Sequence, residues 1–138
     1  MSGWLGLASA DEVLNFLYRG TSISIGGTLW MRLLVAPSSR SGGGTETNFS
    51  GYARKPFPRD GTMFTVASSG VGRLANGTLL DFGTPGSAGN GQLVWFDFVD
   101  TSAGAFTKLY HGGQISPART VTVGQPVRFS AGSLILTI

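Results

Sequence analysis

Residues 92–99, which read QLVWFDFV, decide the fold class of this chain. Both faces of the segment are mainly apolar: one carries Val94, Phe96 and Phe98, and the other carries Leu93, Trp95, Asp97 and Val99. Alternation with period two is typical of a β-strand. Apolar residues on both faces predict a central strand buried on two sides, or a strand whose second face contacts a partner.

A second strand is predicted at Thr28–Ala36, which alternates in the same way. Further short strands are predicted at Gly51–Phe57, Met63–Ala67, Gly72–Ala75, Thr78–Phe82, Ala105–His111, Arg119–Val123, Gln125–Ser130 and Ser133–Ile138. Asn76-Gly77 predicts a hairpin with a type I′ turn between two of them. Short strands at regular spacing, separated by turns, predict an all-β fold, an antiparallel β-sandwich of jelly-roll type.

One helix is predicted, over about residues 10–19, where Val13, Leu14, Phe16 and Leu17 form an apolar stripe near helical spacing. Ser9 and Glu12 have the spacing of a capping box at its start. Asp11 and Glu12 place negative charge in the first turn, where the helix dipole favours it. Arg19 and then Gly20, a natural C′ residue, close the helix.

Such a short helix is marginal alone and must pack on something. Two roles stay open for it. The helix covers one end of the chain's own sheet, or it belongs to an arm, about residues 1–20, that docks on a neighbour. The apolar residues of Trp4–Leu7 that precede it favour the second role.

The length of 138 residues fits one domain, residues 1–138, with a core that needs no cross-links, and the chain has no cysteine. Only 12% of the residues are charged, while 22 are glycine. A surface with so little charge leaves neutral and apolar patches, which often mark contacts with partners.

The net charge of +3 comes from scattered arginines, without the basic stripe of a nucleic-acid interface. No apolar run reaches the roughly 20 residues of a membrane span. The first residues lack the positive region of a signal peptide. These features predict neither a nucleic-acid nor a membrane partner.

Reacting groups are scarce. His111 is the single histidine, and one histidine cannot build a histidine-rich metal site. Asp97 and Asp100 are the closest carboxylates outside the helix, but they point to different faces and fit a glycosidase pair poorly. The glycine-rich loops carry no lysine and precede no helix, unlike phosphate-binding loops. We therefore predict no enzyme, no cofactor and no metal site.

Several stretches follow one another in a recognisable order: Arg19-Gly20-Thr21, TLWMRLLVAPSS, GGGTETNFS, Ser50-Gly51-Tyr52-Ala53-Arg54, LVWFDFVD and TVTVGQPVRFSAGSLILTI. This order resembles a family of small tailed-bacteriophage virion structural proteins, of the decoration or tail-fibre-like kind, with a GYAR element. The chain departs from that pattern at Asn48-Phe49-Ser50-Gly51 and at Gly124-Gln125-Pro126, which affects a loop and a turn.

The resemblance implies a place in the virion after assembly in the host cytoplasm. We predict a capsid cement or decoration protein that binds across subunits of the major capsid protein, and that forms a dimer or trimer. The first alternative is a tail, baseplate or fibre-attachment component. The second is a carbohydrate-binding adhesion module, which would need Trp30 or Trp95 in solvent.

Ten residues are candidate interface contacts: Trp4, Leu5, Leu7, Phe16, Trp30, Tyr52, Arg54, Trp95, Leu134 and Ile138. Tyr52 and Arg54 would share one strand face, and both residue types are common in binding hot spots. The alternative for Tyr52 is a ring packed on the sheet with its hydroxyl bonded to a turn.

Overall fold

The computed structural model describes residues 3–23, 25, 27–68 and 72–137. Within these residues the chain forms one helix, α1 (Leu7–Arg19), and eleven strands: β1 (Gly3–Leu5), β2 (Thr28–Ala36), β3 (Thr45–Glu46), β4 (Lys55–Pro58), β5 (Phe64–Ser68), β6 (Arg73–Asn76), β7 (Leu80–Asp81), β8 (Leu93–Val99), β9 (Leu109–Arg119), β10 (Arg128–Phe129) and β11 (Ile135–Thr137). All strand pairs are antiparallel. The predicted all-β sandwich with one short helix is confirmed.

The largest sheet has six strands, in the order β1-β9-β8-β2-β3, with β4 also paired to β2. Strand β4 pairs with the first half of β2, and β3 pairs with its end, so both lie along the same side of β2. The two smaller sheets have the orders β10-β7 and β11-β6-β5. Strand β2 has the predicted bounds, and β8 has the predicted central position.

One apolar core joins the three sheets. Its buried members are Met31, Leu33, Phe49, Phe64, Leu80, Phe82, Leu93, Phe96, Phe98, Tyr110, Ile115, Val121, Val127, Phe129, Leu134 and Leu136. The Phe98 ring meets Phe57 and Phe64 at centroid distances of 5.1 and 5.7 Å, in edge-to-face geometry. Because Phe64 comes from a small sheet and Phe98 from the large one, these contacts hold the layers of the sandwich together.

The start of the helix differs from the prediction. Gly6 is the N-cap and α1 begins at Leu7, so the capping box of Ser9 and Glu12 is wrong, and no acidic residue lies in the first turn. A Cβ at Gly6 would lie 2.0 Å from the Leu109 carbonyl oxygen, so only glycine lets the chain pass this close to β9. The end is as predicted, because Gly20 is left-handed at φ 66°.

The predicted hairpin at Asn76-Gly77 is wrong. Strand β6 pairs with β5 and β11, whereas β7 pairs with β10, and neither turn residue has positive φ. Asn76 is 1% exposed, and its side chain bonds to backbone groups of other segments. Its amide donates to the Ser130 carbonyl at 2.8 Å, and its Oδ1 accepts from the Leu134 N–H at 2.9 Å. The asparagine therefore ties segments together, and the next residues enter another sheet.

Other strand predictions are also wrong: Arg119–Val123 forms no strand of its own, since only Arg119 belongs to β9, and further strands differ in their bounds. The segment predicted as Gly51–Phe57 pairs only from Lys55, and β4 continues to Pro58 on the edge beside β2. The strand predicted to stop at His111 continues as the eleven-residue β9 through Gly112 and Gly113. These glycines lie under aromatic rings, which leave no room for a Cβ.

Candidate interaction surface

Helix α1 turns apolar side chains to solvent. Six large ones are more than a third exposed, from 37% at Val13 to 80% at Tyr18; the others are Leu7, Leu14, Phe16 and Leu17. Ser9 is the one buried residue of the helix. Monomeric proteins seldom expose apolar patches of this kind unless the patch binds something. The outward face of α1 is therefore the candidate interaction surface.

Backbone contacts hold the start of α1 against the sandwich. The Gly6 N–H donates to the Tyr110 carbonyl at 2.8 Å, and the Leu7 N–H donates to the Arg40 carbonyl at 3.0 Å. Further along, Glu12 forms an ion pair with Lys108. These polar contacts fix the helix while its large apolar side chains stay outside the core.

A cavity of about 140 Å³ lies between α1 and the large sheet. Its lining residues are Leu5, Ser9, Glu12, Val13, Ile23, Ile25, Leu29, Tyr110 and His111. Three buried polar atoms at this cavity, Ser9 Oγ, Glu12 Oε2 and His111 Nδ1, have no hydrogen-bond partner among the described residues. Burial lowers the pKa of His111. The joint between helix and sheet is thus loosely packed, and its histidine favours the neutral form.

The face of the large sheet that carries Arg32 and Asp97 holds these two residues as a buried ion pair. Arg32 donates to both carboxylate oxygens of Asp97, at 2.7 and 2.6 Å, and Ser38 Oγ donates to the same carboxylate at 2.7 Å. The Asp97 side chain is fully buried, and the Phe106 ring lies 4.5 Å from the guanidinium. This arrangement satisfies the buried charges and attaches two loops to the sheet.

The GYAR segment contributes a second internal network. The Tyr52 hydroxyl donates to Glu46 Oε2 at 2.7 Å and accepts from the Leu33 N–H at 3.1 Å. Arg54 donates to both oxygens of Glu46, at 3.0 and 3.1 Å, and to the carbonyls of Thr101 and Gly104. Burial, followed by the hydrogen bond to Glu46, raises the pKa of Tyr52. Both side chains hold loops within this chain.

The ten predicted contact residues are scattered over the fold. Leu7 and Phe16 lie exposed on α1. Trp4, Leu5, Trp30 and Tyr52 are half-buried, whereas Trp95, Arg54 and Leu134 are buried, and Ile138 lies outside the described residues. The prediction did not include Leu14, Leu17 and Tyr18, the most exposed apolar residues of the helix. Leu14 and Leu17 were visible as part of its apolar stripe, but such a stripe is usually buried.

Reactive groups do not converge elsewhere in the part of the chain that the structure describes. There, no group of three or more His, Cys, Asp or Glu residues is placed to hold a metal ion. None of the described residues forms a helix with the length and apolar character that crossing a membrane requires. Trp95 is buried and stacks on Trp4 at 6.0 Å, so its ring is not free to bind a sugar.

Together the sandwich and the exposed helix define an all-β protein whose surface suits association. Residues 7–137 match the family described as Podophage GP4 fiber I protein gp80, and the chain belongs to this family. No curated protein matches the chain. The chain is therefore a bacteriophage virion structural protein, as the sequence resemblance implied, and it interacts with other virion proteins.

Proposed function

We propose that this protein is a tail-side structural component of the virion, part of a fibre or of a fibre attachment, and that it has no enzymatic activity. The fibre description of its family supports this role over that of a capsid cement. The observation that carries the proposal is the outward apolar face of α1 on a well-packed sandwich. Assembly would take place in the host cytoplasm, before the particle is released.

The mechanism is mechanical. The sandwich holds itself together, because its apolar core is packed and its two polar networks find their partners within the chain. Docking then removes the apolar side chains of α1 from water. Each of these half-exposed side chains contributes about 1 kcal/mol when covered, since complete burial contributes roughly 1.5–3 kcal/mol. A contact of this size is stable when many copies act together.

The carbohydrate-binding alternative has little support from the tryptophans. Trp95 is buried and Trp30 is half-buried, whereas a sugar platform needs a ring open to solvent. The ten candidate contacts remain part of the proposal, and among those that the structure describes Leu7 and Phe16 are the exposed ones.

The test is the number and position of copies in purified virions. Quantitative mass spectrometry of the particle should give between three and a few dozen copies of this chain. Labelled antibodies should place them on the tail in electron micrographs. Hundreds of copies spread over the head would contradict the tail-side role and restore the cement role, and absence from the particle would remove both.

A further inference from the structure

The apolar residues of α1 have the spacing of a coiled coil. Leu7 and Leu14 are seven residues apart, and so are Ala10 and Leu17, with alternating steps of three and four between them. These are the a and d positions of two consecutive heptads. We call Leu7, Ala10, Leu14 and Leu17 the seam.

The seam is directed away from the helix's own contacts with the sandwich. At 100° per residue, Ser9 lies about 200° around the helix from Leu7. Ser9 is the buried residue of α1, and Glu12 pairs with Lys108 on that same side. The three leucines of the seam remain about half exposed or more. The sandwich therefore positions the helix without covering its seam.

The flanks of the seam suit contact with an identical helix. The e and g positions within α1 are Asp11, Val13 and Tyr18, which include a single charge. Two parallel copies in register would bring no row of like charges together. Val13 and Tyr18 extend the apolar stripe on both sides, as in helices of a bundle. A helix of 13 residues is also marginal alone and gains from a partner.

We propose that the seam of α1 is a self-association surface, at which copies of this chain pack their α1 helices in parallel around a common axis. This proposal rests on the proposed function, because it states how copies of a fibre component join. The partner of each α1 is the α1 of another copy, and the contacts are made at seam positions rather than at the sheet edges.

The first experiment measures association of the full chain by analytical ultracentrifugation over a range of concentrations. The seam variant carries Leu7→Glu and Leu14→Glu, and the matched control carries Ala8→Glu and Asn15→Glu, which have the same spacing one residue further around the helix. The wild type and the control should associate, with dissociation constants within about twofold of each other. The seam variant should dissociate on the order of 100-fold more readily.

The second experiment uses the absence of cysteine from the chain. A single Leu14→Cys substitution places one thiol on the seam, and Asn15→Cys places it beside the seam. A disulfide requires Cα atoms within about 7 Å, which parallel helices in register provide at an a position. Mild oxidation with glutathione disulfide should join two subunits in L14C and leave N15C unjoined.

Three results would overturn the seam: a wild-type chain that stays monomeric, an L7E/L14E variant that associates as well as the control, or equal cross-linking of L14C and N15C. The presence of the chain in purified virions is measured separately. A chain found on the tail whose seam variant still associates normally contradicts this inference alone. A chain missing from the particle contradicts the proposed function.

Discussion

Strand β8 and helix α1 are both rich in apolar residues, but β8 is buried whereas the large side chains of α1 are exposed. Strand β8 lies between β2 and β9, and all but one of its seven residues are buried. Helix α1 follows Gly6, which bonds to β9, and its buried residue is Ser9, while its large side chains face outward. Apolar composition alone therefore does not decide burial. What decides it is the position of the small residues, because they set which side of an element approaches its neighbour.

The ion pairs of the two regions show the same difference. Arg32 and Asp97 are almost fully buried beside β8 and share two hydrogen bonds. Lys108 and Glu12 join the helix to the sheet with their side chains 18% and 28% exposed. Breaking a fully buried pair leaves an uncompensated charge in the interior, whereas a partly buried pair costs less to break because water reaches it. We therefore expect stability to depend on β8 and assembly to depend on α1.

The largest effect is expected from Asp97→Asn. The substitution keeps the shape of the side chain but leaves Arg32 as an uncompensated buried charge, which costs about 3–5 kcal/mol. Urea unfolding followed by tryptophan fluorescence measures the free energy of unfolding. The control is Arg128→Met, which removes the exposed pair with Asp81 and should leave the unfolding curve unchanged. If both variants lost the same free energy of unfolding, burial would not explain a difference between the two ion pairs.

The next effect is expected from Gly113→Ala in β9, beside β8. The added Cβ would lie 2.7 Å from the Phe96 ring and 3.1 Å from the Ile135 carbonyl oxygen. Relieving such an overlap in a packed core costs about 1–3 kcal/mol. Gly27→Ala is the control, because a Cβ there meets nothing within 4 Å and its φ is not left-handed. Calorimetry should show a lower Tm for G113A alone, and an unchanged G113A would mean that β9 can move away from β8.

These glycines show the limit of what the local sequence could predict about the strands. Alternation placed β2 and β8 correctly, because a strand with two long neighbours shows its pattern over many residues. The same reasoning stopped a strand at His111, since Gly112 and Gly113 look like a turn. Glycine stands at both positions because aromatic rings lie over them: Trp4 and Trp95 over Gly112, and Phe96 over Gly113. Contacts between segments so distant in the chain leave no local signal.

Asn76 and Ser9 were misread for a related reason. Both have a strong local meaning, as a hairpin residue and as a helix cap, but both are buried and take part in tertiary packing instead. The candidate interaction surface was likewise only partly predicted from local sequence. The helix was predicted together with its apolar stripe, and the choice between the chain's own sheet and a neighbour stayed open. That choice depended on Gly6, whose missing Cβ sets how the helix lies on β9.

A smaller effect is expected from Tyr52→Phe, which tests whether the GYAR segment belongs with the stable region. Removing the hydroxyl deprives the Leu33 N–H of its acceptor and Glu46 of a donor. The expected loss is about 1–2 kcal/mol in the free energy of unfolding. Tyr18→Phe on the exposed face of α1 should change it by less than about 0.5 kcal/mol. If both variants unfold like the wild type, the Tyr52 network adds nothing to the fold.

The smallest effect is expected at the joint between the two regions, where His111 lines the cavity under α1. Burial lowers the pKa of His111 in the folded chain, so the unfolded chain binds the proton first as the pH falls. Stability from this group is complete above its ordinary pKa of about 6.5 and is lost as the pH falls through the lowered value. Asp60, Asp81 and Asp100, whose pKa values are lowered, lose their contributions only below about pH 4. Because His111 is the single histidine, the fall in Tm between pH 7.5 and 5 should become shallower in His111→Gln. An unchanged slope in that variant would mean that water reaches the joint freely, and that α1 is held even more loosely than its contacts indicate.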